Sequence, residues 1–187
     1  MFSDWLASLR DVRAKAEIAR RIRRLALGNP GDVKPVGQGV SELRIHTGPG
    51  YHVYFVQRGD ILIILLCGGE KDSQDRDIRA ALRFAKEIWM TLETRPFDPA
   101  TYLDDPEAIV AYLQGAFADG DPAEITNALG VVARARGMSA LAEETGLPRQ
   151  SLYRALSSDG NPEFRTVLRV LLALGLRLHP ERLPEPV

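Results

Sequence analysis

Cysteine is almost absent from this chain, and long hydrophobic runs are missing. The one cysteine, Cys67, cannot form a disulfide within the chain, so we expect a reducing compartment. The longest apolar run, residues 61–67, is far shorter than the roughly 20 residues that a membrane-spanning helix needs. A charge at Asp4 follows the first methionine closely, unlike a secretory signal. We therefore expect a cytoplasmic protein that has no membrane-spanning segment.

The chain also has almost no net charge, but its charges are unevenly distributed. Residues 1–89 hold 15 Lys and Arg against 11 Asp and Glu, a net charge of +4. Residues 90–187 hold 9 against 14, a net charge of −5. Opposite charges on two modules favour their association. We predict a domain at residues 1–89, a linker at residues 90–106 and a second domain at residues 107–187.

The first half has the periodicity of a small sheet covered by helices. Apolar residues at helical spacing predict a hairpin of two helices over residues 2–9 and 14–27. Alternating residues then predict three antiparallel strands and a final helix, at residues 40–46, 51–57, 61–67 and 74–89. The predicted class is α+β, with a helical hairpin, a three-stranded antiparallel sheet and a C-terminal helix.

One face of this predicted sheet is rich in basic and proton-transferring side chains. Strand alternation predicts a solvent-facing cluster of Arg44, His46, His52 and Tyr54, with Lys34 and Lys71 nearby. Such a surface suits a phosphate backbone and supplies groups for proton transfer. An ordinary polar sheet face without chemistry is the alternative that the pattern leaves open.

Three blocks of the first half carry a family resemblance. They are residues 28–46, residues 48–55 (Gly-Pro-Gly-Tyr-His-Val-Tyr-Phe) and residues 66–74 (Leu-Cys-Gly-Gly-Glu-Lys-Asp-Ser-Gln). These blocks resemble the RelE/ParE superfamily and, more closely, the HigB-like addiction module killer toxins. The resemblance implies a toxin fold and, for many relatives, ribosome-dependent cleavage of mRNA without a metal. We therefore expect no cofactor.

The resemblance also implies roles for the residues of the polar face. The candidate catalytic residues are Arg44, Tyr54, Lys71 and His52, and the candidate RNA-binding residues are Lys34 and His46. Arg44 would stabilise phosphate charge, and Tyr54 or a nearby histidine would assist proton transfer. Relatives usually open with a short strand that this chain lacks, so residues 91–95 are predicted to cover an unpaired sheet edge. Some relatives poison DNA gyrase instead, and the target stays open.

The second half has an all-helical pattern. Within residues 137–156, Ala142 is small where two helices meet, Gly146 suits a tight turn and Pro148 can begin a helix. This spacing predicts a helix-turn-helix. Its second helix presents the candidate DNA-binding residues Arg149, Gln150, Ser151, Tyr153 and Arg154. A helical bundle that does not bind DNA is the alternative.

Four blocks of this half, residues 97–107, 128–138, 152–156 and 160–164, resemble the HigA-like addiction module antidotes within the lambda-repressor-like proteins. The two resemblances together imply a fused type II toxin–antitoxin protein. Its antidote half would bind a toxin half, in its own chain or another, and would bind operator DNA as a homodimer. An active toxin half would act on ribosomes and mRNA. The alternatives are a transcriptional regulator whose toxin-like domain is catalytically dead, or a gyrase-targeting toxin.

Overall fold

The computed structural model describes residues 2–58, 62–88 and 95–180 of the chain. The chain divides into two compact units, Met1–Asp119 and Gly120–Val187. The N-terminal half contains a four-stranded antiparallel sheet with helices, and the described part of the C-terminal half is helical. The mixed α+β class predicted from the sequence is therefore confirmed. The predicted boundaries at residues 89 and 107 stay a prediction.

The sheet is a meander. Two helices precede it in the chain, and one follows it. The helices are α1 (Phe2–Ser8), α2 (Val12–Ala26) and α3 (Gln74–Glu87). The strands are β1 (Val33–Gly37), β2 (Val40–Ile45), β3 (Tyr51–Arg58) and β4 (Leu62–Glu70), hydrogen-bonded in that order. Asp11 starts α2 because its carboxylate accepts hydrogen bonds from the backbone N–H groups of Arg13 and Ala14.

Strand β1 corrects the prediction of a three-stranded sheet. It pairs antiparallel with β2 at one edge, with Val33 opposite Leu43 and Lys34 opposite Glu42. Its Pro35 and Gly37 are typical of a loop, but an edge strand tolerates a proline because one side of its backbone needs no partner. Residues 91–94, which were predicted to cover a sheet edge, lie outside the described residues.

Helices cover both faces of the sheet. One face packs a core of Leu43, Val53 and Phe55 against α1 and α2. The other packs Val40, Tyr54 and Leu66 against α3. The prediction that the polar side chains of this sheet face solvent is therefore wrong for two of them, since Tyr54 is fully buried and His52 is 7% exposed. The alternation of residues along the strands predicted correctly which side chains share a face, but it could not show that α3 covers that face.

A further helix, α4 (Pro106–Asp119), packs along α2 within the same unit. The segment before it folds onto the N-terminal core, because the ring of Phe97 lies 6.0 Å from that of Phe2 and 5.6 Å from that of Tyr102. The Asp105 carboxylate accepts the backbone N–H of Glu107 at 2.7 Å, at the start of the helix. Residues just after position 95 are thus part of the N-terminal unit.

The second unit consists of four helices: α5 (Pro122–Arg136), α6 (Met138–Thr145), α7 (Arg149–Ala155) and α8 (Phe164–Ala173). Helix α6 ends at Gly146, whose φ of 66° is left-handed and favours glycine. Leu141 of α6 and Leu152 of α7 are almost fully buried. The turn at Gly146 and the start of α7 after Pro148 therefore agree with the prediction for residues 137–156.

Helix α8 departs from its prediction. Apolar residues at helical spacing after Asn161 and Pro162 predict a last helix that these two residues cap, with its apolar side chains packed behind the domain. Phe164 is instead 67% exposed and Leu172 is 69% exposed, while Val170 and Leu171 are buried. Glu163 occupies the capping position. No helix in the described part of the chain is both long and apolar enough to cross a membrane.

Candidate functional site

A buried carboxylate, Glu42 of β2, organises the polar residues beneath α3. Glu42 is 1% exposed. Its Oε1 atom accepts hydrogen bonds from the Tyr54 hydroxyl at 3.0 Å and from Nε2 of Gln74 at 2.7 Å. His52 Nδ1 lies 3.0 Å from the same oxygen, and Arg44 Nε lies 3.4 Å from Oε2. Three of the predicted catalytic residues, Arg44, His52 and Tyr54, are therefore brought together around one acid.

Sequence reasoning missed both Glu42 and Gln74. Strand alternation places Glu42 on the face of Arg44, but an acidic residue in a half-polar strand usually lies in water. The register of the β2–β3 pair is what identifies Glu42 as part of the site, because Glu42 lies opposite Tyr54 and Arg44 lies opposite His52. Opposed residues of this kind are within contact distance.

Burial changes the acid–base properties of this cluster. Burial, together with the hydrogen bond to Glu42 and its charge, raises the pKa of Tyr54 far above its ordinary value. The phenol therefore stays protonated at neutral pH and acts as a hydrogen-bond donor. Burial, with the charge of Asp77, also raises the pKa of Cys67 to about 12. Cys67 lies opposite Tyr54 on β4, so these two neighbouring groups both stay protonated at neutral pH.

The remaining predicted toxin residues lie at the margin of this cluster. His46 is joined to it through Asp32, whose Oδ2 is 2.7 Å from His46 Nε2 and whose Oδ1 is 3.7 Å from Arg44 Nε. Lys34 is exposed on β1, opposite Glu42 in the register. Lys71 is exposed at the end of β4, beside a surface cavity of about 780 Å³ that Trp5 also lines.

The predicted DNA-binding residues lie together on α7. Arg149, Gln150, Tyr153 and Arg154 are exposed, and Ser151 is half-buried. The Arg149 guanidinium lies 5.4 Å from the centre of the Tyr153 ring and donates to the Tyr153 hydroxyl at 3.3 Å. Leu152 anchors the helix from the opposite side because it is fully buried. The arrangement offers two guanidinium groups and an amide to a ligand.

A charged cluster joins α2 to α4. The Arg20 side chain is 6% exposed and forms ion pairs with Glu17 and Asp119, and Arg24 also binds Asp119. Burial raises the pKa of Asp119, but the hydrogen bonds and charges of Arg20 and Arg24 outweigh it and hold that pKa below its ordinary value. At the other end of α4, Glu107 accepts from Arg13 Nε at 2.6 Å. The basic face of α2 is therefore matched to acids of α4.

Close packing accompanies this charge matching. A side chain at Gly115 of α4 would place its Cβ 2.4 Å from Arg20 Nε. Glycine at this position therefore lets the buried guanidinium approach the backbone of α4. In the described ranges, no group of three or more His, Cys, Asp or Glu side chains is arranged to hold a metal ion.

Comparisons with known proteins locate a family in the second half of the chain. The sequence model of a family described as "Probable addiction module antidote protein" matches residues 93–182. An uncharacterized protein of Haemophilus influenzae is 51% identical over 87 residues, which are 46% of this chain and 88% of that protein. A second uncharacterized protein of the same organism is 41% identical over 93 residues, 50% of this chain and 96% of its own length. No solved structure matches the chain significantly. The C-terminal half of the chain, through residues 93–182, belongs to the family of addiction module antidote proteins.

Proposed function

We propose that this chain is a fused toxin–antitoxin protein whose antidote segment neutralises a RelE/ParE-like domain in residues 1–89. The observation that carries the proposal is the packing of α4 along α2. Helix α4 lies inside the segment matched by the antidote family, and α2 lies outside it. An antidote acts by binding a toxin, so this contact is the proposed neutralising contact.

The burial pattern of α2 supports this assignment. Ala14, Ile18 and Ile22 face the sheet and form its core. Ala16, Ala19 and Arg20 are also buried, although they are outside that core. Their side chains need a second covering element, and α4 packs along α2 together with the 3-10 turn Pro99–Tyr102, which lies in the same matched segment. Without α4, the buried guanidinium of Arg20 would lose Asp119 as a partner.

The test reverses the charge of Asp119 in the full-length chain. Asp119→Arg places a third guanidinium beside Arg20 and Arg24, so the end of α4 should separate from α2. We expect faster hydrogen exchange in α4, together with growth arrest and reduced translation on expression. Asp104→Arg is the matched control, since Asp104 is exposed just before the same helix. Adding Arg24→Asp to Asp119→Arg should restore normal growth and translation.

A second substitution separates an active toxin from a dead one. Arg44→Ala, added to Asp119→Arg, should abolish the growth arrest if Arg44 acts on a phosphate. If α4 is released but growth and translation are normal, the toxin proposal is wrong and a DNA-binding regulator with an inactive toxin-like domain remains. If growth stops through loss of DNA supercoiling while mRNA stays intact, the gyrase alternative holds.

We further propose that α6 and α7 form a helix-turn-helix that binds operator DNA as a homodimer. The exposed Arg149, Gln150 and Arg154 of α7 support it, since these side chains suit base edges and phosphates. A good bidentate contact to a base contributes about 1–3 kcal/mol of discrimination against the wrong base. Arg149→Ala should therefore weaken binding and relax the sequence preference at one base pair of a palindromic site. Unchanged operator affinity after substitution of all three residues would exclude this use of α7. Arg136→Ala, an exposed change outside α7, is the control.

A further inference from the structure

The carboxylate of Asp32 lies near basic groups from α2, from β2 and from the residue that follows β2. His46 Nε2 lies 2.7 Å from its Oδ2, and Arg44 Nε lies 3.7 Å from its Oδ1. The Arg21 guanidinium of α2 lies against Gly31, where an added Cβ would be 2.4 Å from the nearest guanidinium nitrogen. The hydrogen bond from His46, with the charges of Arg44 and Arg21, holds the pKa of Asp32 below its usual value. One carboxylate thus contacts His46 and Arg44, and a third basic side chain, Arg21, lies against the residue before it.

The backbone holds Asp32 in this position. Its carbonyl oxygen accepts the backbone N–H of Arg44 at 2.9 Å, which fixes the residue beside β2 just before β1 begins. The Asp32 side chain nevertheless remains 40% exposed and that of His46 is 76% exposed. Ion pairs this exposed contribute little stability because water competes for both partners. A ligand from solvent can therefore displace the carboxylate at a small energetic cost.

Glu42 lies beside the guanidinium of Arg44 on the buried side. Arg44 Nε lies 3.4 Å from the Glu42 carboxylate, whose side chain is 2% exposed, while Arg44 itself is 32% exposed. Arg44 Nε thus lies between a buried acid and a surface acid, without a hydrogen bond to either. Arginine favours phosphate because its planar donors match two oxygens at once.

We infer that Arg21, Arg44 and His46 form a binding site for a phosphate group, and that Asp32 occupies this site as an internal anion. Asp32 holds the basic groups together while the site is empty and competes with an incoming phosphate. The inference rests on the proposed function only for the source of the phosphate, which is a single-stranded RNA backbone. The site itself is defined by the contacts of Asp32.

The experiment measures binding by the full-length chain at low salt. A short fluorescein-labelled single-stranded RNA is titrated by anisotropy, and inorganic phosphate is titrated by calorimetry. Asp32→Asn should bind the RNA about threefold to tenfold more tightly than the unchanged chain, because the competing charge is gone. Asp104→Asn is the matched control, an exposed change with the same effect on net charge. Adding Arg44→Gln to Asp32→Asn should remove the gain.

Each outcome decides the inference. A gain for RNA but not for inorganic phosphate indicates that the site takes backbone phosphates, and a gain for both indicates that it also takes the free ion. Equal affinity of Asp32→Asn and Asp104→Asn, or a gain that survives Arg44→Gln, would overturn it. Asp32→Ser provides a second variant if the asparagine disturbs folding. Binding is measured without growth, so a chain that gains affinity but never stops growth rejects the toxin proposal alone.

Discussion

At the scale of single residues, Glu42 joins two strands and a helix. Its carboxylate contacts His52 and Tyr54 of β3 and Gln74 of α3, and it lies beside Arg44 of its own strand. Burying a charge is costly unless donors compensate for it, and here the Tyr54 hydroxyl and the Gln74 amide donate to it. The cluster therefore specifies the register of β2 against β3 and the position of α3. Its members depend on one another, so no substitution at Glu42 is expected to be local.

Replacing Glu42 should destabilise the N-terminal unit. Glu42→Ala leaves the Tyr54 hydroxyl and the Gln74 amide without their acceptor, so we expect a loss of about 2–4 kcal/mol in the free energy of unfolding. Urea denaturation followed by tryptophan fluorescence measures it, because both tryptophans, Trp5 and Trp89, lie in the first 119 residues. Glu70→Ala, at an exposed position, should change stability by less than about 0.5 kcal/mol. Equal effects of the two substitutions would contradict the cluster's structural role.

The thiol of Cys67 gives a second residue-scale prediction. Its pKa of about 12 leaves very little thiolate at pH 8, and the thiolate is the reactive form. We expect iodoacetamide to modify the folded chain on the order of a hundredfold more slowly than the chain unfolded in urea. The folded rate should still be rising with pH at pH 10, whereas the unfolded rate should be levelling off. A folded rate that levels off near pH 9 would show an ordinary thiol.

At the scale of elements, the sequence predicted correctly the helices and strands whose apolar pattern is uninterrupted. Helix α2 and the α6–α7 pair lie close to their predicted positions because periodicity and turn residues agree there. Strand β1 was missed because Pro35 and Gly37 are typical of a loop. The face shared by Arg44, His52 and Tyr54 was predictable from alternation, but its burial depends on α3, whose position is a tertiary property. The exposure of Phe164 on α8 likewise depends on packing that no local pattern encodes.

Helix α5 carries a glycine whose role is visible only in the packing. A Cβ at Gly130 would lie 2.2 Å from the carbonyl oxygen of Leu156, the residue that follows α7. A backbone atom cannot move aside cheaply, so Gly130→Ala should cost roughly 1–3 kcal/mol despite the better helix propensity of alanine. Hydrogen exchange in α5 and α7 measures the loss. Ser139→Ala, exposed on α6, is the control, and equal protection in both variants would show that α5 and α7 do not need this close approach.

At the scale of the whole molecule, the charge difference between the halves has a structural counterpart. The basic excess of residues 1–89 includes the arginines of α2, and the acidic excess of residues 90–187 includes Glu107 and Asp119 of α4. These groups meet in the ion pairs Arg13–Glu107, Arg20–Asp119 and Arg24–Asp119, of which the Arg20 side chain is largely buried. Desolvated pairs of this kind contribute to specificity because one partner alone would be left uncompensated. The attraction inferred from net charge thus acts through a few pairs on two helices.

The proposed fusion predicts that the intact chain is silent as a toxin at every concentration. A tether holds its partner at a roughly millimolar effective concentration when it can span the sites, so dilution should not release α4 from α2. A protease site inserted between residues 88 and 95 removes the tether after purification. The cut protein should begin to inhibit cell-free translation only when it is diluted below the dissociation constant of its two pieces. The same insertion left uncut is the control for the added residues. If the uncut chain inhibits translation as strongly as the diluted, cut protein, the tether does not silence the N-terminal domain, and α4 contributes to folding alone.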